Sequence, residues 1–171
     1  MKEYIAVGSP IGKLNKEEKY YFTVGEQILE MEETAYKVWL CFLGGNTVEN
    51  VIKNPKLLKK TEETCIRVTV KEMILTGILI TADEIDEFVL IRNGIGAGYN
   101  EKRGGYCVIS EQIHKLSRDE YFIWCSSDGR KKVKEIQREF QDMGKEMSTE
   151  QIRENVISLT HKAVVFLIME D

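Results

Sequence analysis

Glu33-Thr34-Ala35-Tyr36-Lys37-Val38-Trp39-Leu40-Cys41-Phe42-Leu43-Gly44 and, 85 positions later, Arg118-Asp119-Glu120-Tyr121-Phe122-Ile123-Trp124-Cys125-Ser126-Ser127-Asp128-Gly129 decide how this chain is read. Both stretches carry Tyr-x-x-Trp followed by glycine, and Trp39 and Trp124 are the chain's two tryptophans. At the same offset Tyr21, Glu26, Gln27, Ile28 and Val48 meet Tyr106, Glu111, Gln112, Ile113 and Val133. Self-similarity at one fixed spacing is the mark of a repeated supersecondary unit. The match continues outward with a drift of one residue each way: Ile11-Gly12 against Ile95-Gly96 ahead, and Ile66-Arg67 against Ile152-Arg153 behind. The pattern predicts an internal duplication, residues 1–84 and 85–171, with two closely packed copies bridged by residues 81–100.

Within each copy the periodicity predicts α+β structure. Two β-like segments come first, Tyr4–Val7 and Tyr20–Leu29 in one copy, Phe88–Arg92 and Tyr106–Ile113 in the other, joined by glycine-bearing turns. A helix follows, residues 33–43 and 117–126, with Ala35, Val38, Trp39 and Phe42 on one face of the first. Ser117-x-x-Glu120 is a capping box. A short second helix is expected over Thr47–Ile52 and from Val133 to Phe140. A longer third helix carries Ile66, Val70 and Met73 in one copy and Ile152, Val156 and Leu159 in the other, with Gly77 stopping the first. Apolar strands close each copy at Ile78–Ile80 and Val164–Ile168.

The 171 residues carry 24 Lys+Arg and 28 Asp+Glu, a formal net charge of -4 that divides evenly between the halves. Such a balance argues against strong nonspecific nucleic-acid binding, which depends on accumulated cations, while leaving room for a local basic face. No apolar run reaches the roughly 20 residues of a membrane span, and the N-terminal residues read as a strand and not as a secretory signal. The expectation is a cytoplasmic chain with no membrane partner. Cys41, Cys65, Cys107 and Cys125 lack metal-ligand spacing and read as small buried apolar residues. His114 and His161 read as ordinary surface or boundary histidines. Gly94-Ile95-Gly96-Ala97-Gly98 follows a strand but leads into another, so it reads as a hairpin and not a phosphate loop. No catalytic constellation, metal site or cofactor site is expected, and the chain reads as a non-enzyme.

The Tyr-x-x-Trp, the glycine, the Val-x-x-Val or Val-x-x-Ile segment and the long helix running into Gly77-Ile78-Leu79-Ile80 resemble the winged-helix superfamily, with helices two and three as a helix-turn-helix. Leu116–Trp124 followed by Asp128-Gly129-Arg130-Lys131-Lys132-Val133-Lys134-Glu135-Ile136 is similar to the PqqD-like branch of it. The winged-helix resemblance implies a DNA-binding transcriptional regulator acting on double-stranded DNA. The candidate contacts are Lys59, Lys60, Arg67 and Lys71 in one copy and Arg92, Lys102, Arg103, Arg130, Lys131, Lys132 and Arg153 in the other. The PqqD-like resemblance implies instead a peptide or protein partner added at a strand edge.

Overall fold

A computed structural model describes residues 2–14, 18–58 and 62–170. The chain is α+β and separates into two compact units. One runs to Glu84 and takes in the chain from Ile168 onward; the other is Ile85–Leu167.

The first unit begins with β1 (Glu3–Ala6), β2 (Ser9–Lys13), β3 (Tyr20–Val24) and β4 (Gln27–Met31). Strands β2, β3 and β4 form an antiparallel meander in which β4 is an edge. The helices are α1 (Glu33–Leu40), α2 (Val48–Ile52), α3 (Pro55–Leu58) and α4 (Glu63–Leu75), with β5 (Asn46–Thr47) ahead of α2 and β6 (Leu79–Thr81) after α4. A second sheet has the order β5-β1-β6, with Ile5 opposite Ile80 and Ala6 opposite Leu79. Apolar residues at helical spacing place Ile66, Val70 and Met73 of α4 in the core beside Val38 and Trp39 of α1.

The second unit opens with a 3-10 turn, Ala82–Glu87, that crosses the unit boundary. There follow β7 (Val89–Arg92), β8 (Ile95–Asn100), β9 (Gly105–Ile109), β10 (Ile113–Leu116), α5 (Arg118–Ser126), β11 (Asp128–Lys132), α6 (Val133–Asp142), α7 (Thr149–His161) and β12 (Val165–Ile168). Here too a meander, β10-β9-β8, accompanies a sheet of order β11-β7-β12. The Ser117 hydroxyl accepts from Glu120 N at 3.1 Å while the Glu120 carboxylate accepts from Ser117 N at 2.8 Å, completing the expected capping box. Ser148 and Gln151 build the same box ahead of α7.

The helices lie close to their expected places, as do β1, β6, β7 and β12; the meander strands do not. Tyr20–Leu29 is two strands separated by a turn at Gly25, and β2, β8 and β10 fall where the sequence suggested turns or strand ends. The register also corrects one equivalence. Tyr20 opposes Met31 and stacks on Tyr36 at 4.9 Å, whereas Tyr106 opposes Leu116 and stacks on Tyr121 at 4.7 Å. Tyr20, not Tyr21, therefore does the work of Tyr106. The physical reason lies in the hairpin turn: Val24 pairs with Gln27 across the two residues 25–26, but Ile109 pairs with Ile113 across the three residues 110–112, so the two turns differ by one residue. A one-residue change at a turn shifts which residues share a face.

Both long helices end alike. Ile78 N donates to Met73 O at 3.0 Å and Gly77 N to Ile74 O at 3.2 Å; Val164 N donates to Leu159 O at 3.2 Å and Ala163 N to Thr160 O at 2.9 Å. These are Schellman closures, which need a left-handed residue at the joint. Gly77 supplies it at φ 75°, while Ala163 adopts φ 53° despite its methyl group.

Each unit is centred on its indole. Trp39 is fully buried and lies 5.0 Å from Phe22 and 5.8 Å from Tyr36, ring centre to ring centre. Trp124 is also buried, stacks on Tyr121 at 5.7 Å and leaves no room for a side chain at Gly96, where a Cβ would sit 2.8 Å from the ring. Trp124 Nε1 donates to Asn93 O at 3.1 Å, whereas Trp39 Nε1 has no partner among the described residues. Replacing either tryptophan by alanine is expected to cost about 3–5 kcal/mol. Replacement by phenylalanine separates them: Trp124→Phe should cost about 1 kcal/mol more than Trp39→Phe, because it alone discards a hydrogen bond. Denaturant midpoints of the four variants check this; equal losses for the two phenylalanine variants would contradict the assignment.

Candidate functional site

In the first unit a groove of about 510 Å³ runs between β4 and α4. Ile28, Leu29, Met31 and Met73 give it an apolar lining, and Glu30 and Glu72 add two carboxylates. Strand alternation places neighbouring residues of β4 on opposite faces, and Ile28 is left 66% exposed. Because β4 borders the meander, its backbone on the side away from β3 has no strand neighbour among the described residues. The small Ala35 on α1 and Thr76 at the end of α4 keep the groove open.

The second unit fills the corresponding places differently. At the third residue of the helix after the meander, where α1 has Ala35, α5 has Glu120. The Glu120 carboxylate reaches Ser158 Oγ at 2.6 Å and contacts the Lys162 ammonium, which sits at the end of α7 as Thr76 sits at the end of α4. Lys162 Nζ also donates to Ser158 Oγ at 2.8 Å. Burial pushes the Glu120 carboxyl upward, but the bonds from Lys162, Ser158 and the Ser117 N–H outweigh it and hold the group below the ordinary carboxylate range. The capping-box signal placed Glu120 at the helix start; nothing in the local pattern marked its second partnership, 42 residues away with Lys162.

Several of the cations expected to meet DNA are engaged within the chain. Lys59 and Lys60 lie outside the described residues. Arg67 is tied to Glu63 at 2.9 Å, and Arg153 grips Asp86 through two bonds of 3.0 and 2.6 Å. Lys131 pairs with Glu139 at 2.6 Å. Arg92 lies over the Trp124 ring at 5.4 Å and donates to Cys125 O. Lys71 is exposed on α4, Lys102 and Arg103 sit in the β8–β9 turn, Arg130 is exposed on β11, and Lys132 precedes α6. Arg67 and Arg153 thus serve ion pairs on their own units.

Of the cysteines only Cys107 is buried; Cys41 is half-buried, and Cys65 and Cys125 are exposed, which corrects their reading as core residues. Both lie on the solvent side of a helix, Cys65 on α4 and Cys125 on α5. His114 is half-buried on β10 and His161 is exposed in the last turn of α7. Among the described residues no group of three or more His, Cys, Asp or Glu is placed to hold a metal ion, and no helix is long and apolar enough to cross a membrane.

No family model and no curated protein matches the chain. Two solved structures of PKMT2 from Rickettsia typhi, one in complex with AdoHcy, are similar to it at 13% identity, with TM-scores of 0.36 and 0.35. They cover 95% of this chain, which spans 40% of the PKMT2 chain. The neighbours carry the name PKMT2 and not that of a regulator; the pairing of Arg67, Lys131 and Arg153 inside the chain corrects the expectation of a DNA-binding regulator and its DNA-binding and transcription labels. The reading of the chain as a non-enzyme is withdrawn on the same finding, since one neighbour is solved with AdoHcy. A likeness at these scores assigns no activity to this chain.

The lowered Glu120 pKa has a defined consequence. A carboxyl whose folded pKa lies below its unfolded value stabilises the fold above the unfolded pKa, and that contribution fades as pH falls toward the folded one. Acidification below the ordinary carboxylate pKa should therefore weaken the second unit. Glu120→Gln should cost about 1.5–3 kcal/mol at neutral pH, since it loses charge-assisted bonds, and should flatten this acid dependence. Melting temperatures of both proteins between neutral and acid pH check it; parallel curves would contradict the role given to Glu120.

Proposed function

We propose that the chain is a binding module whose first unit captures an extended segment of a protein partner by adding it to the free edge of β4. The observation that carries this reading is the coincidence of an unpaired strand edge with an apolar groove along α4. Strand addition uses both: main-chain hydrogen bonds along the edge supply affinity, and alternate side chains of the segment enter the groove and supply selectivity. Glu30 and Glu72 favour a segment that carries a lysine or arginine among its apolar residues. The Glu120–Ser158–Lys162 cluster occupies the comparable region of the second unit, so the reading assigns the segment to the first unit alone.

The same reading takes the two units as copies of one winged-helix-like repeat, 1–84 and 85–171. The matching order of strands and helices, α3 aside, the paired sheet orders and the two Schellman closures support it. A cytoplasmic setting is part of the proposal and accords with four free cysteines.

Ile28→Glu tests the groove, because Ile28 is exposed and its replacement should change stability by no more than about 0.5 kcal/mol. Peptides selected from a displayed random library on the immobilised chain should be rich in alternating apolar residues. They should bind Ile28→Glu at least about tenfold more weakly by fluorescence polarisation, a loss of about 1.4 kcal/mol. A library that yields no binder, or binders indifferent to Ile28→Glu, would refute the proposal.

A further inference from the structure

The second unit holds a separate depression of about 610 Å³, lined by Tyr99, Gly104, Gly105, Tyr106, Lys115, Leu116, Ser117 and Arg118. Three features set it apart. First, it is lined by two cations and no acid, in a chain where Asp+Glu outnumber Lys+Arg by 28 to 24. Neither Lys115 nor Arg118 is in an ion pair with a described carboxylate, unlike Arg67, Lys131, Lys145 and Arg153. Secondly, the Lys115 stem lies across Gly105, where a Cβ would come within 2.8 Å of Lys115 Cε and 3.0 Å of Cγ. A side chain at Gly105 would push Lys115 off the floor of the depression. Thirdly, aromatic rings wall it. Tyr99 is 60% exposed and meets Tyr106 edge-on at 5.4 Å; Tyr106 stacks on Tyr121 at 4.7 Å, and Tyr121 on Trp124 at 5.7 Å. A ring laid against Tyr99 would extend a row whose inner end is buried in the core.

We infer that this depression is a binding site for a small planar aromatic anion of the nucleoside monophosphate kind, its ring against Tyr99 and Tyr106 and its phosphate between Lys115 and Arg118. The volume lies within the range of small-molecule sites. Ring contacts and charge-assisted bonds from two cations make complementary demands, so a ligand with only a ring or only a charge satisfies half the site. The inference is independent of the strand-edge reading, which concerns the other unit.

Calorimetric titration of the full chain with adenosine 5′-monophosphate, adenosine and ribose 5-phosphate tests it. The monophosphate should bind with a Kd of about 1 mM or tighter, and the other two about tenfold more weakly or worse. Binding should weaken with added salt, as expected of exposed charges. Lys115→Gln, Arg118→Gln and Tyr99→Ala, all at exposed positions, should each reduce affinity about tenfold without lowering the melting temperature. In ¹H–¹⁵N spectra the amides of Gly104, Lys115 and Arg118 should shift. Failure of the monophosphate to bind, equal binding of adenosine, or affinity unchanged in the three variants would each overturn the assignment. Should one variant lose its fold, the remaining two and the amide shifts carry the test.

Discussion

An indole wedged between a helix and a three-stranded meander is the constraint on which each unit depends. A unit of this size has few residues with which to cover a large ring, and burying it supplies much of the apolar free energy available. Trp39 and Trp124 each dictate what stands around them: a tyrosine one turn earlier on the same helix, a strand passing across the ring, and an apolar face on the long helix behind. At Gly96 the strand comes so close to the indole that even a methyl group would collide. The spacing of these features reappears in both halves because the same ring has to be enclosed by the same kinds of element.

Helices were legible in the sequence because their signals are local. Ser117-x-x-Glu120 and Ser148-x-x-Gln151 announce helix starts through side chains that bond the backbone three residues on. Strands such as β8, Ile95-Gly96-Ala97-Gly98-Tyr99-Asn100, were not legible, since three glycine or alanine residues in a row of six give no alternation to read. The Tyr21–Tyr106 match was a coincidence of residue type; only the pairing register showed Tyr20 under Tyr36 and Tyr106 under Tyr121. The basic residues misled for a different reason. Charge counts along a sequence do not reveal that Arg153 reaches back 67 positions to Asp86, or that Lys134 meets Glu87.

Each unit has a three-stranded meander, a second three-stranded sheet and a long helix, and the two differ in the side chains placed between meander and helix. Between the meander and the long helix one unit has Ala35, Glu72 and Thr76, leaving an apolar channel; the other has Glu120, Ser158 and Lys162, joined to one another. A buried ion pair is expensive to desolvate and is tolerated where its hydrogen bonds are complete, a condition that Ser117, Ser158 and Lys162 meet together for Glu120. Glycine at 105 has a similar differentiating effect, because the room it leaves is taken by a lysine stem.

Asn93 gives the second unit a mechanical character that the first lacks. Its backbone N–H bonds Val164 O at 2.7 Å, its side-chain amide bonds Ala163 O at 3.0 Å, and its own carbonyl receives the Trp124 indole N–H at 3.1 Å. Ala163 is the non-glycine residue held at positive φ among those described, a conformation that costs about 1–2 kcal/mol for an alanine. In the first unit Val7 N bonds Ile78 O beside a relaxed glycine joint, and the indole nitrogen takes no part. The strained elbow and the indole of the second unit are thus two ends of one tether, and slack introduced at either end is felt at the other; in the first unit the same two parts can loosen separately.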